Sequence, residues 1–208
     1  MNILRKHWYD LGGVFAIAVL AYIFIYHHTF TNYQLLMWYS LISLFLHQLE
    51  EYRIVGTFPG MINSVMYHSE NPDRYPLNTN TAFIINVTIG WTIYFFAALF
   101  AEKAVWLGMA TILVSLGNTI AHVFIFNIKG KSGYNAGMFT SCLFFLPCIY
   151  FFFSIIYTQH LVTPKDYAIG IPLGIIINAV GVLKVIDWMK DENTSYIFDN
   201  RNLLPKNR

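Results

Sequence analysis

The feature that most constrains this chain is a succession of apolar runs, each about as long as a bilayer is thick: Leu11 to His27, Tyr33 to Ile54, Asn80 to Ala101, Ala104 to Asn127, Asn135 to Tyr157 and Tyr167 to Trp188. A spanning helix needs roughly 20 largely apolar residues. Lipid offers no partners to backbone N–H and C=O groups, so such segments must become helices or strands of a closed barrel. The runs are continuous and lack the period-2 alternation of a barrel strand, which leaves helices. Charged residues are 12% of the chain, about half the usual share in soluble domains. The expected fold is an all-α integral membrane protein, a bundle of about six transmembrane helices.

Lysine and arginine set the expected orientation. With the N-terminus in the cytoplasm, Arg5, Lys6, Arg53, Arg74, Lys129, Lys131, Lys184, Lys190, Arg201, Lys206 and Arg208 fall on that side, and only Lys103 and Lys165 on the other. Both termini are therefore expected in the cytoplasm, in a multi-pass protein of the plasma (inner) membrane. The net charge of +2 follows from this bias, and no basic stripe with interleaved aromatics suggests nucleic acid. Arg5 and Lys6 ahead of an apolar run also suit a signal peptide, but no small-x-small cleavage site follows, so the first helix is expected to be retained. Residues 1–190 form one transmembrane domain, and 191–208 read as a polar, loosely ordered cytoplasmic tail. The long connection Gly56 to Thr79 has lid or binding-loop length, with a short interfacial turn expected around Met61 to Met66. Cys142 and Cys148 lie on one helix, too far apart around it to bridge.

The second run ends unusually, in "LHQLEEYR". His47, Glu50 and Glu51 share one side of a helix, because residues three and four apart are neighbours there. A charged group in mid-bilayer costs roughly 2.5 to 3.5 kcal/mol on translocon scales, so such residues are functional candidates by default. The bland reading is interfacial snorkelling beside Arg53. The fourth run has its own polar stripe, Thr111, Ser115, Asn118 and His122, which alone would read as helix-helix glue. Depth joins the two. His47 lies six residues before Arg53 and His122 seven before Lys129, so both histidines sit about 9 to 10 Å from the basic boundary. Asn86 and Tyr134 to Gly137 fall in the same half.

These residues resemble a family. His47-Gln48-Leu49-Glu50-Glu51 matches the H-x-x-E-E signature of the HXXEE-domain membrane proteins, and Asn118 to His122 matches that family's N-x-x-x-H. Tyr134-Asn135-Ala136-Gly137 is similar to its Y-x-P-G, with alanine in place of proline. The resemblance implies a small multi-helix membrane protein with an intramembrane polar centre, and no general activity comes with it.

The chemistry of the residues points to a metal-dependent enzyme, a hydrolase or an oxidase/oxygenase. His47, Glu50, Glu51 and His122 are the candidate ligands of a divalent ion, zinc, iron or manganese. Glu50 and Glu51 are also candidates for a general base, Asn118 for a partner of His122, and Tyr134 for a proton donor or oxyanion support. At this depth the expected substrate is an amphiphilic or lipid-like molecule from the cytoplasmic leaflet. Two alternatives use the same residues: a metal-free glutamate protease of the membrane, whose E-E-x-x-x-R pattern fails at Val55, and an ion- or proton-coupled transporter.

Overall fold

The computed structural model describes residues 2–207, all-helical and without strands among them. Helix α1 (Asn2–Tyr26) leads through a tight turn into α2 (Asn32–Leu49), which continues as a wider π-type turn over Glu50–Ile54. A short helix α3 (residues 58–66) follows, then α4 (Thr79–Leu99), α5 (Val105–Gly130), α6 (Met138–Thr158) and α7 (Pro164–Trp188). Local chemistry starts several of these. Thr31 and Gln34 form a capping box before α2, Thr163 and Asp166 form another before α7, and Asn78 caps α4 through its side-chain oxygen.

Five of the six long helices are long and apolar enough to cross a membrane. The exception is α2, expected from sequence as a span like the others. It is the polar axis of the bundle, packed against α1, α4 and α6, and it buries Ser40, Ser43, His47, Gln48, Glu50 and Glu51 among its neighbours. Those residues lower its hydropathy, and their burial in protein makes it tolerable.

Between helices in lipid, hydrophobicity supplies little attraction, so close packing and hydrogen bonds must hold the bundle. A Cβ on Gly170 would lie 2.7 Å from the Trp106 carbonyl, and one on Gly174 2.8 Å from Leu113 Cβ, so α7 can approach α5 this closely only through glycine. Two residues of the α5 polar stripe serve as glue: the Tyr94 hydroxyl on α4 donates to the Thr111 carbonyl at 2.9 Å and pairs with Ser115 Oγ at 2.8 Å.

The tail is not loose. Phe198, Asn202 and Leu203 are buried, and Lys6 pairs with Asp199 at 2.6 Å. Asn202 Nδ2 donates to the carbonyls of Tyr52 (3.1 Å) and Gly56 (2.8 Å), and Arg201 to those of Tyr52 (2.7 Å) and Arg53 (3.1 Å). The physical reason lies in α2: its end leaves carbonyls without helical partners, and the tail supplies the donors.

Candidate metal centre

Three π-type turns meet at the centre: Glu50–Ile54 of α2, Ala121–Ile125 of α5 and Ser141–Phe145 of α6. Such turns recur at functional sites because they re-aim the side chains that follow. The one in α6 immediately precedes Leu146 and Pro147, whose missing N–H already weakens the helical ladder.

The two histidines expected at one depth do meet. Their ring centroids are 4.8 Å apart, at nearly right angles. His47 Nε2 lies 3.4 Å and His122 Nε2 3.2 Å from the same oxygen, Glu51 Oε1. His47, Glu51 and His122 are all buried, with one potential ligand atom from each within 4.8 Å of the others. Neither Nε2 makes a well-formed hydrogen bond.

The outer sides of the rings decide their tautomers. His122 Nδ1 is 2.7 Å from Asn135 Oδ1, while Asn135 Nδ2 donates to the His122 carbonyl (2.7 Å) and to Asn127 Oδ1 (2.8 Å). Asn135 therefore presents an acceptor, and His122 Nδ1 must carry the hydrogen. His47 Nδ1 is 3.0 Å from Thr140 Oγ1, which donates its own hydrogen to Glu50 Oε2 at 2.6 Å. Thr140 can only accept from the ring, so His47 Nδ1 is protonated too. With Nδ1 engaged on the outside, each ring turns its Nε2 toward Glu51, and in the neutral imidazole that atom is the lone pair that binds a metal.

Glu50 stands apart from this group. Its Oε1 accepts from the Tyr134 hydroxyl (2.6 Å) and Phe139 N (3.3 Å), and its Oε2 from Thr140 N (2.8 Å) and Thr140 Oγ1 (2.6 Å). Four donors use up its acceptor capacity, so Glu50 orients His47 through Thr140, whereas the sequence offered it as a ligand or base. Burial first, and the bond to Glu50 second, hold the Tyr134 phenol above its ordinary pKa. It therefore stays a donor locked onto Glu50. Asn118 is also not where it was expected. Its Nδ2 donates to the Val114 carbonyl of its own helix at 3.1 Å, one turn from His122, and Asn135 takes the role of histidine partner.

Sequence reasoning missed Asn135, Thr140 and the part played by Gly137. Asn135 and Gly137 lay inside the recognised Tyr134 to Gly137 string, which was a signal. Thr140 had none, since only the packing of α6 on α2 makes it a neighbour. Gly137 has φ +104°, and a Cβ there would collide with His122 Cε1 and come within 2.9 Å of His47 Cε1. Ala136 is buried and the turn forms without the expected proline. Arg53, the snorkelling partner in the bland reading, instead pairs with Asp10 at 3.1 Å.

On one side of the centre lies a cavity of about 540 Å³, lined by His47, Gln48 and Glu51 of α2 and by residues of α3, α4, α5 and α7, Asn118 among them. That volume is within the range of small-molecule sites.

The H-x-x-E-E, N-x-x-x-H and Tyr134 to Gly137 strings thus converge on one centre. A family described as "Protein of unknown function with HXXEE motif" matches residues 38–152, more than half of the chain. The chain belongs to the HXXEE family. The matched region runs from the middle of α2 to α6 and contains every ligand candidate and its hydrogen-bonding partners. No curated protein and no solved structure matches the chain, so the chemistry of this HXXEE protein rests on its own residues.

Proposed function

We propose that this HXXEE protein is a membrane-embedded, metal-dependent enzyme in which His47, Glu51 and His122 hold one divalent ion, zinc, iron or manganese. The observation that carries the reading is the pair of Nε2 atoms without a hydrogen-bond partner, each on a ring fixed by a hydrogen bond on its far side, facing a buried carboxylate oxygen 3.4 and 3.2 Å away. Metal bonds of 2.0 to 2.1 Å in a tetrahedral site separate ligand atoms by about 3.3 Å. A bound cation would also offset the several kcal/mol that a buried carboxylate costs. Two histidines and one carboxylate leave coordination positions open, as catalytic zinc and non-haem iron sites do.

Bound there, zinc would supply water activation and polarisation of a carbonyl, and iron or manganese oxygen-dependent chemistry. The chain's own residues do the rest. Thr140 and Asn135 hold the imidazoles in the ligating tautomer, Glu50 and Tyr134 brace Thr140, and the apolar cavity beside Glu51 and His47 excludes water from a lipid-like or amphiphilic substrate. The positive-inside bias supports a centre toward the cytoplasm of the plasma membrane. Glycosylation or cysteine-labelling of the termini in intact cells tests that orientation.

The direct test is elemental analysis of protein purified in mild detergent without chelator, beside a His47→Ala, His122→Ala double variant. Near-stoichiometric metal, lost in the variant, is the expected result. Well-folded protein that stays metal-free after supplementation would overturn the reading and favour a metal-free glutamate mechanism or ion coupling at Glu51.

A further inference from the structure

The cavity beside the centre has a shape and chemistry that narrow its occupant. Along α4 its wall runs from Ala82 to Tyr94, twelve residues or roughly 18 Å of helix. Ile85, Ile89 and Ile93 line that length, faced by Ile177, Val182 and Ile186 of α7. This is a long, narrow apolar chamber. Its floor is α3, whose Phe58, Ile62 and Met66 all point into it. It also reaches the surface, because the lining residues Leu183 of α7 and Ile125 of α5, on the flank of the bundle, and Tyr67, just after α3, are 58%, 39% and 45% exposed. Leu183 and Ile125 are apolar and lie on helices fit to cross a membrane, so the opening on that flank suits hydrocarbon and not water.

The polar groups on the wall are few and mostly occupied. Gln48 donates to Asn86 Oδ1 at 3.0 Å and accepts from Trp91 Nε1 at 2.6 Å. Asn178 donates to the Leu113 and Gly174 carbonyls and rests its oxygen against Gly117, whereas Asn118 gives one N–H to the Val114 carbonyl and, among the described residues, its side-chain oxygen accepts no hydrogen bond. Asn118 stands four residues before His122, about 6 Å away along α5. The wall near the centre therefore offers an unfilled acceptor at Asn118, which a donor on the ligand would satisfy.

We infer that this chamber binds a single-chain amphiphile that enters sideways from the bilayer between α5 and α7, lays its hydrocarbon chain along α4 and α7, and presents a donor-bearing polar group, a hydroxyl or amide N–H, to Asn118 beside the centre. The inference deepens the proposed enzyme reading by naming its substrate class, and it rests on that reading only for the reaction, not for the binding.

Radiolabelled hexadecanol and its methyl ether, which has the chain but no donor, serve as probes with detergent-purified protein separated from free probe by rapid gel filtration. Wild-type protein is expected to retain the alcohol about tenfold better than the ether, the size of one lost hydrogen bond. Gly90→Leu and Ile89→Trp, which fill the chamber, should each reduce retention at least about tenfold. Gly90→Ala should not, because a Cβ there meets only ordinary contacts at 3.4 Å and beyond. Asn118→Leu should erase the preference for the alcohol while keeping chain binding. Equal retention by wild-type and both filled variants would overturn the chamber, and equal retention of alcohol and ether by wild-type protein would overturn the role of Asn118. Metal content is measured on the same samples. Metal-free protein that still discriminates the probes would sink the reading of the centre and support the chamber alone.

Discussion

Glu50 and Glu51 are neighbours in sequence and almost equally buried, yet they face two different regions. Glu50 looks into the α6 entrance, where the chain from Tyr134 to Thr140 surrounds it with donors. Glu51 looks between α2 and α5, where the Nε2 atoms of His47 and His122 lie 3.4 and 3.2 Å from its Oε1. Burying a carboxylate is costly without partners, and the first region answers that cost with hydrogen bonds. The second turns an oxygen and two imidazole nitrogens without hydrogen-bond partners toward one another, an arrangement that a cation would complete. One carboxylate builds the centre and the other is part of it.

Swapping the pair's roles should break this contrast most sharply. Glu51→Gln is expected to abolish stoichiometric metal binding, because an amide removes the anionic ligand, whereas Glu50→Gln should weaken metal affinity by about 10- to 100-fold through the Thr140–His47 relay. Isothermal titration of the metal-depleted proteins reads both, and a Glu50→Gln loss as complete as that of Glu51→Gln would contradict the division. Gly137→Ala should be next in severity. Its side chain would enter the space of both imidazoles at positive φ, costing about 3 kcal/mol from overpacking and strain, visible as a fall in thermal midpoint together with metal loss. Asn135→Leu takes the acceptor from His122 Nδ1 while leaving Glu50 untouched, so it should lower metal affinity by about tenfold or more with the Tyr134–Glu50 contact intact. Tyr134→Phe is the mildest. It removes one of four donors to Glu50 from a half-exposed position and should cost about 1 kcal/mol in unfolding free energy, with near-normal metal content.

The tail offers a second comparison, between what polarity suggests and what packing does. Residues 191–207 look like a loose end by composition, yet Asn202 and Arg201 serve the open carbonyls at the end of α2. A chain ending before Asp199 should leave those carbonyls unsatisfied, and proteolysis near Gly56 is expected to accelerate.

Much of this protein is legible from residue order. Apolar length and the absence of strand alternation dictate helices, because lipid forces backbone groups to pair within the segment. Helical rise counted back from Arg53 and Lys129 places His47 and His122 at nearly the same height, since 1.5 Å per residue needs no tertiary information. The i, i+4 spacing likewise puts His47 and Glu51 on one face. Tertiary structure decided the remainder. Which glutamate meets the histidines depends on how the π-type turn rotates α2 against α5. Which atoms fix the imidazole tautomers depends on Thr140 and Asn135 arriving from the far side of the α5–α6 turn. Whether α2 faces lipid or protein depends on its neighbours. Spacing along one helix is local geometry and can be read from sequence, while a hydrogen bond between residues 90 positions apart, such as Thr140 to Glu50, exists only once the helices have packed.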